Sequence, residues 1–328
     1  MLKTLANSLI ILSAIFFAVA ALAIGTPSMD SYSIDIWPGI PGPNTQVIGK
    51  ATSNSFDINA AYISWELDGR IIDKGYGKKT VKFMTGKAGT KNKLKVSITP
   101  NGGTEQTETI NLNINDIDML WHADTYVPVY YIGKSLMPKK SQVTVTAMPH
   151  MYKNGALLPA NALLYDWRIG ERHFPEQSGF NKQSFTFNAD GIIRRSQIVE
   201  VVVTSQDGQV EATNAIPIMP RGTETIFYET KPLEGVVSRH ATTNFSALSG
   251  GIKQFIAVPF YFSTKDPGTL TYEWSANGAP ETEQTQRNYL FNFQSSPEVT
   301  GLVNVSLAIS NSKSYFQQDA GGFNIEVK

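Results

Sequence analysis

Along residues 30–328 the apolar side chains fall in short runs that alternate with polar ones. That is the period of a half-buried antiparallel strand, whose successive side chains point to opposite faces. In Leu94-Lys-Val-Ser-Ile98 the leucine, valine and isoleucine share one face, and Lys95 and Ser97 share the other. Val199 to Val203, Val303 to Leu307, Ile110 to Ile114 and Phe323 to Val327 follow the same rule, and a less regular run lies near Ala212 to Ile218. Two further strands, Val143 to Pro149 and Phe255 to Pro259, are expected to end at their prolines, which lack a ladder donor. Turn residues separate the runs at Asn101-Gly-Gly103, Asp207-Gly208, Asp266-Pro-Gly268 and Asn277-Gly278. After residue 25 no segment sustains a helical apolar period, so the pattern predicts an all-β chain.

The strands repeat. Tyr62-Ile-Ser-Trp65, Tyr165-Asp-Trp167 and Tyr272-Glu-Trp274 each precede a glycine within four residues, at Gly69, Gly170 and Gly278. The tryptophans recur at an interval of about 100 residues, the length of one small β-sandwich. An alternating aromatic segment follows each, ending at Phe83, Phe187 and Phe293, nearly the same distance beyond its tryptophan every time. These six aromatic residues are the expected core anchors. The pattern predicts three sandwiches, at residues 30–115, 116–219 and 220–328, joined by short linkers that favour a semi-rigid rod. A tryptophan strand, an aromatic strand and a unit of about 100 residues together resemble bacterial exported proteins with tandem immunoglobulin-like domains of the polycystic-kidney-disease (PKD-like) kind. The resemblance implies a β-sandwich in each unit and a role in binding or surface architecture.

The first 25 residues differ. Lys3 is their only charge, and an apolar run from residue 9 to 24 ends in small-x-small patterns, Ala18-Val-Ala20 and Ala21-Leu-Ala23. The run suits a signal peptide or a retained N-terminal membrane anchor. Either places the remainder outside the cytoplasm, in the periplasm, at the cell surface or secreted. The chain has no cysteine. Disulfides, thiolate metal sites and a cysteine nucleophile are thereby excluded, and with an export-type N-terminus this points to a bacterial source. Lys plus Arg and Asp plus Glu are 28 each, so no net field steers the molecule toward nucleic acid.

Little of the chain carries reaction chemistry. His122, His150, His173 and His240 are scattered, and His173-Phe-Pro-Glu176, which sets a glutamate close to one of them, falls in an expected loop. A zinc site needs three or four converging ligands. No Gly-x-Ser-x-Gly and no phosphate-cradling loop occurs. The chain is therefore expected not to be an enzyme and to need no cofactor; a cryptic hydrolase would need a polar cleft with a perturbed carboxylate. Asn115, Asp116 and Asp118 at the first junction offer oxygen ligands to a calcium ion, as in a calcium-stiffened adhesin. The alternative is that Ile110, Leu112 and Ile114 face the core while the asparagines are solvated.

Two surfaces are candidates for partner contact. Nine cations lie between Arg70 and Lys95 against one acid, Asp73. Among them Lys91, Lys93 and Lys95 line the outer face of one strand, either as a patch for an anionic polymer, lipid headgroups or an acidic partner, or as a solvated face guarding a sheet edge. Trp121, Tyr126, Tyr130 and Tyr131 form an aromatic lead-in to the second unit, suited to glycan contact or to packing at the joint. The sequence thus favours a non-enzymatic stalk in adhesion or in a surface assembly such as a pilus or secretion apparatus, with protein partners. The alternative is a module that binds cell-wall polymer or glycan. Membrane attachment, if any, runs through residues 9–24.

Overall fold

The computed structural model describes residues 32–189, 195–238, 241, 243–281 and 287–328. The leader at residues 1–25 and His240 lie outside them. Among the described residues there are only strands and two single-turn 3-10 helices, and no helix is long and apolar enough to cross a membrane.

Seven strands come first: β1 (Tyr32–Trp37), β2 (Gln46–Ser53), β3 (Tyr62–Leu67), β4 (Arg70–Tyr76), β5 (Thr80–Met84), β6 (Lys91–Thr99) and β7 (Gln106–Asn113). They form two sheets, β1-β2-β5 and β4-β3-β6-β7. Val47, Ala51, Val81 and Phe83 of one sheet meet Ile63, Trp65, Leu94, Val96, Ile98 and Leu112 of the other in a single buried cluster. With the tryptophan on the third strand and the sixth and seventh strands beside it, this is an immunoglobulin-like order.

The second sheet pair uses β8 (Asp116–Ala123), β9 (Gln142–His150), β10 (Tyr152–Lys153), β11 (Ala156–Leu157), β12 (Leu163–Ile169), β13 (Arg172–His173), β14 (Gly179–Phe180), β15 (Ser184–Asn188), β16 (Gln197–Ser205) and β17 (Glu211–Ile218). Its sheets are β8-β9-β15 and β13-β12-β16-β17, the latter with β14 on β12, and β10-β11 is a separate hairpin. The third pair uses β18 (Glu224–Lys231), β19 (Gly235–Val236), β20 (Asn244–Ala247), β21 (Ile252–Phe260), β22 (Thr271–Ala276), β23 (Ala279–Pro280), β24 (Leu290–Gln294), β25 (Gly301–Ser310) and β26 (Gln318–Val327). Its sheets are β19-β18-β21-β24 and β20-β26-β25-β22-β23, with β20 parallel to β26.

The glycine after each tryptophan closes the hairpin that leaves the tryptophan strand. Asp68-Gly69 and Asn277-Gly278 both have positive φ at both residues, the two-residue turn that matches strand twist. Each turn also grips the neighbouring long strand: Asp68 N–H donates to Lys93 O at 3.0 Å, and Asn277 N–H to Asn304 O at 2.8 Å.

Two expectations need correction. β9 and β21 run through Pro149 and Pro259 rather than stopping there. On the flank next to β15 and β24 the paired registers have already ended, at Thr146 and Ile256, so one side of each proline faces no strand that needs its N–H. In addition β6, which carries Lys91, Lys93 and Lys95, is a central strand paired with β3 and β7, so these lysines guard no edge.

Candidate functional site

The tryptophans are core anchors with a shared polar pin. Trp65 and Trp167 are fully buried and Trp274 nearly so; Phe83, Phe187 and Phe293 are buried beside them. A buried indole N–H needs an acceptor, and each finds a main-chain carbonyl two residues before the aromatic strand: Lys78 O at 2.7 Å, Lys182 O at 2.8 Å and Asn288 O at 2.9 Å. Phe185 stacks on Trp167 with centroids 5.4 Å apart, and Phe291 tilts against Trp274 at 5.2 Å. These two phenylalanines, one register step before the aromatics singled out in the sequence, are legible from the same alternation. In the second and third pairs a tyrosine two residues before the tryptophan donates to a 3-10 turn: Tyr165 to Ala160 O at 2.8 Å and Tyr272 to Pro267 O at 3.1 Å. Burial pushes the Tyr165 phenol up to about 12 and raises Tyr272 as well.

The run of nine cations is divided between two sheets. Lys82 lies on β5, whereas Lys74, Lys91, Lys93 and Lys95 lie on β4 and β6 of the other sheet. Across from the three lysines of β6, at the same registers on β7, stand Asn113, Asn111 and Thr109, and Glu66 of β3 lies opposite Lys95. Lys91 donates to Asn154 at 3.2 Å, Lys78 pairs with Asp73 at 3.5 Å and Lys79 donates to Asn59 at 3.0 Å. Lys74, Lys93 and Lys95 form no ion pair among the described residues. Tyr62 and Tyr76 are direct cross-strand partners at one end of this sheet, with rings edge-on at 5.3 Å, and Tyr76 is 76% exposed. The face therefore offers three unpaired ammonium groups, a row of amides and hydroxyls, and an exposed aromatic pair. The aromatic pair is hidden in the sequence, because the segment that forms β4 shows no clean alternation.

The aromatic lead-in is engaged within the chain. Trp121 is half-buried against the second core, with the Lys134 ammonium 4.3 Å from its ring centroid. Tyr126, Val127, Tyr131 and Leu136 pack on Tyr228, Val258, Phe260 and Tyr261, which form the outer face of β18 and β21 and the turn after β21. The backbone joins too: Tyr126 N–H donates to Phe262 O and Tyr261 N–H to Tyr126 O, both at 2.8 Å. Tyr131 and Tyr261 hydroxyls meet at 3.0 Å, and the Tyr130 ring stands edge-on to Tyr228 at 6.0 Å. Burial raises the phenols of Tyr126, Tyr130, Tyr228 and Tyr261. Nearby the buried Gln317 amide accepts from Ser263 N–H at 2.7 Å and donates to Lys139 O at 3.1 Å, tying the third pair to the loop before β9.

The calcium candidates are each engaged within the chain. Asn115 is buried and its Oδ1 accepts the Tyr152 N–H at 2.6 Å; Asp116 accepts the Ile117 N–H at 2.9 Å; Asp118 pairs with His150 at 3.0 Å. Asn115 thus belongs to the first joint, where Asn113 also donates to Gln209 O at 3.2 Å. His173 lies in a hairpin strand rather than a loop, and pairs with Asp166 instead of Glu176. Among the described residues no group of three His, Asp or Glu side chains is placed to hold a metal.

No protein-family model matches the chain, and no curated protein matches it. Several solved structures are similar to it at low superposition scores. The three N-terminal domains of the bacteriophage RB49 outer capsid protein Hoc are 12% identical, covering 91% of this chain and 99% of that one at a TM-score of 0.25. The Bacteroides ovatus protein SGBP-B, solved with a mixed-linkage heptasaccharide, is 8% identical over 91% and 70% at a TM-score of 0.23. The Clostridium thermocellum CbhA fibronectin(III)-like modules are 10% identical over 58% and 94% at 0.26.

Proposed function

We propose that the chain is a non-enzymatic extracytoplasmic interaction protein, a semi-rigid stalk of three immunoglobulin-like sandwiches at residues 30–115, 116–219 and 220–328. In this reading it is a bacterial exported protein of the PKD-like kind, carried out of the cytoplasm by its leader, and it serves adhesion or a surface assembly such as a pilus or secretion apparatus. The observation that carries the reading is the construction of the two joints. At the first, Asn115, Tyr152, Lys91 and Asn154 link one sheet pair to the next by hydrogen bonds. At the second, an aromatic layer and paired backbone bonds do so. Joints built this way transmit orientation, which a stalk requires and a set of flexibly tethered binding modules does not.

The partner surface in this reading is the basic face of β4-β3-β6-β7, whose unpaired lysines suit an acidic protein surface. Its test is recovery of partners from the envelope fraction of the native cells by the chain and by a Lys93→Glu, Lys95→Glu double variant. The reading predicts acidic protein partners with the unaltered chain and their loss with the variant. Equal recovery by both removes the basic face from the account. Recovery of anionic wall polymer instead of protein favours the second reading, a polymer-binding module, which the same unpaired charges support.

A further inference from the structure

The outer face of the sheet β19-β18-β21-β24 is only half covered. The aromatic loop of the second sheet pair lies over the end that bears Tyr228, Val258 and Phe260. The other end is an open groove of about 730 Å³, within the range of small-ligand clefts.

Its floor is one cross-strand row, Val236, Thr230, Gln254 and Asn292, contributed in order by β19, β18, β21 and β24. The row is wired together. Thr230 Oγ1 donates to Gln254 Oε1 at 2.8 Å, and Gln254 Nε2 donates to Asn292 Oδ1 at 2.8 Å. One hydrogen of the Gln254 amide and both of the exposed Asn292 amide remain without a protein acceptor among the described residues. Apolar side chains border the row on both sides, with the cross-strand pair Ile256 and Leu290 toward the covered end and the exposed Ile252 toward the free end.

Three features select the ligand. Strands β18 and β21, which carry the middle of the row, pair on both sides, so a free backbone edge for an extended peptide exists only at the ends of the floor, on β19 and β24. Charges around the groove cancel in pairs, Lys253 with Glu229 at 2.7 Å and Lys231 with Glu234 at 3.2 Å, while Arg287 already has an interaction within the chain. An anionic ligand therefore finds no unpaired cation cluster. The remaining chemistry is a fixed line of amides and a hydroxyl between apolar borders, which matches a molecule with hydroxyls at its edges and C–H groups on its faces. Two strand spacings carry Thr230 to Asn292 over about 10 Å, the length of two sugar rings.

We propose that this groove binds a neutral oligosaccharide, held edge-on by Thr230, Gln254 and Asn292 and flanked by Leu290 and Ile256. The site is separate from the basic face, and its occupancy does not depend on the partner assigned there.

The test is calorimetric titration of the full chain with four neutral hexasaccharides, from β-1,4-glucan, β-1,4-mannan, chitin and α-1,4-glucan. At least one saturates the chain with a Kd below about 1 mM, an ordinary weak affinity. Gln254→Ala and Asn292→Asp each weaken that binding about tenfold, the loss of one or two hydrogen bonds. Asn292→Asp keeps the size of the side chain, so its effect does not depend on a folding defect. Lys93→Glu with Lys95→Glu leaves the affinity unchanged. Saturation by none of the four, or equal binding by both groove variants, overturns the proposal.

Discussion

At the scale of single residues, the repeating device is a buried indole held by a distant carbonyl. The pin closes loops of 13, 15 and 14 residues and fixes the start of the aromatic strand relative to the tryptophan strand. Replacing Trp167 by Phe keeps an aromatic ring but removes the donor and some volume, leaving Lys182 O unpaired. The expected cost is about 2–3 kcal/mol, read as a lower denaturation midpoint of the second sheet pair. A loss below about 0.5 kcal/mol, the level of an indifferent surface substitution, would mean the pin does not matter. The tyrosines add a pH dependence. With its pKa at about 12 in the fold against 10.0 otherwise, Tyr165 keeps its proton in a range where the unfolded chain has lost it. Stability from this source is complete below pH 10 and falls between 10 and 12. Tyr272 shifts the same way. Melting temperature should hold level from pH 8 to 10 and decline above it; a level or rising trend to pH 12 would contradict the burial described.

At the scale of elements, the strands are largely legible because period-two alternation is a strong signal where one sheet face is buried and the other wet. β5, β6, β15, β16, β24, β25 and β26 all overlap runs expected from the pattern. β4 escapes it, since Arg70-Ile-Ile-Asp-Lys-Gly-Tyr76 has no clean alternation and is bulged against β3 at Trp65/Glu66. The prolines mislead for a local reason: the cost of a missing donor depends on whether a neighbour strand is present at that register. The joints are harder still, because their key groups are ordinary loop residues. Gly89 is one. Its φ is +84°, and a Cβ there would sit 3.1 Å from the Tyr152 ring across the first joint. Gly89→Ala should therefore cost about 1–2 kcal/mol and speed hydrogen exchange at the Tyr152 amide while the tryptophan indoles remain protected. Unchanged exchange at Tyr152 would show that the joint does not rest on this contact.

At the scale of the whole molecule, three buried cores follow one another along the chain, and a fourth cluster fills the space between the second and third. The candidate sites are less legible than the cores. Lys93 and Lys95 can be placed on an outer face from alternation alone, but their position in mid-sheet and the Tyr62–Tyr76 pair beside them depend on strand pairing. The Thr230–Gln254–Asn292 row spans three strands that lie far apart in the sequence, and no local pattern announces it.

A semi-rigid stalk makes one demand above all, that the three sandwiches stand in series. Small-angle X-ray scattering of the purified chain tests this directly. Three units of roughly 100 residues arranged in line give a radius of gyration of about 30 Å or more, whereas one compact particle of this length gives about 20 Å. The account predicts the larger value, with a distance distribution skewed to a long tail and unchanged by dilution. The smaller, compact-particle value with a symmetric distribution would contradict it.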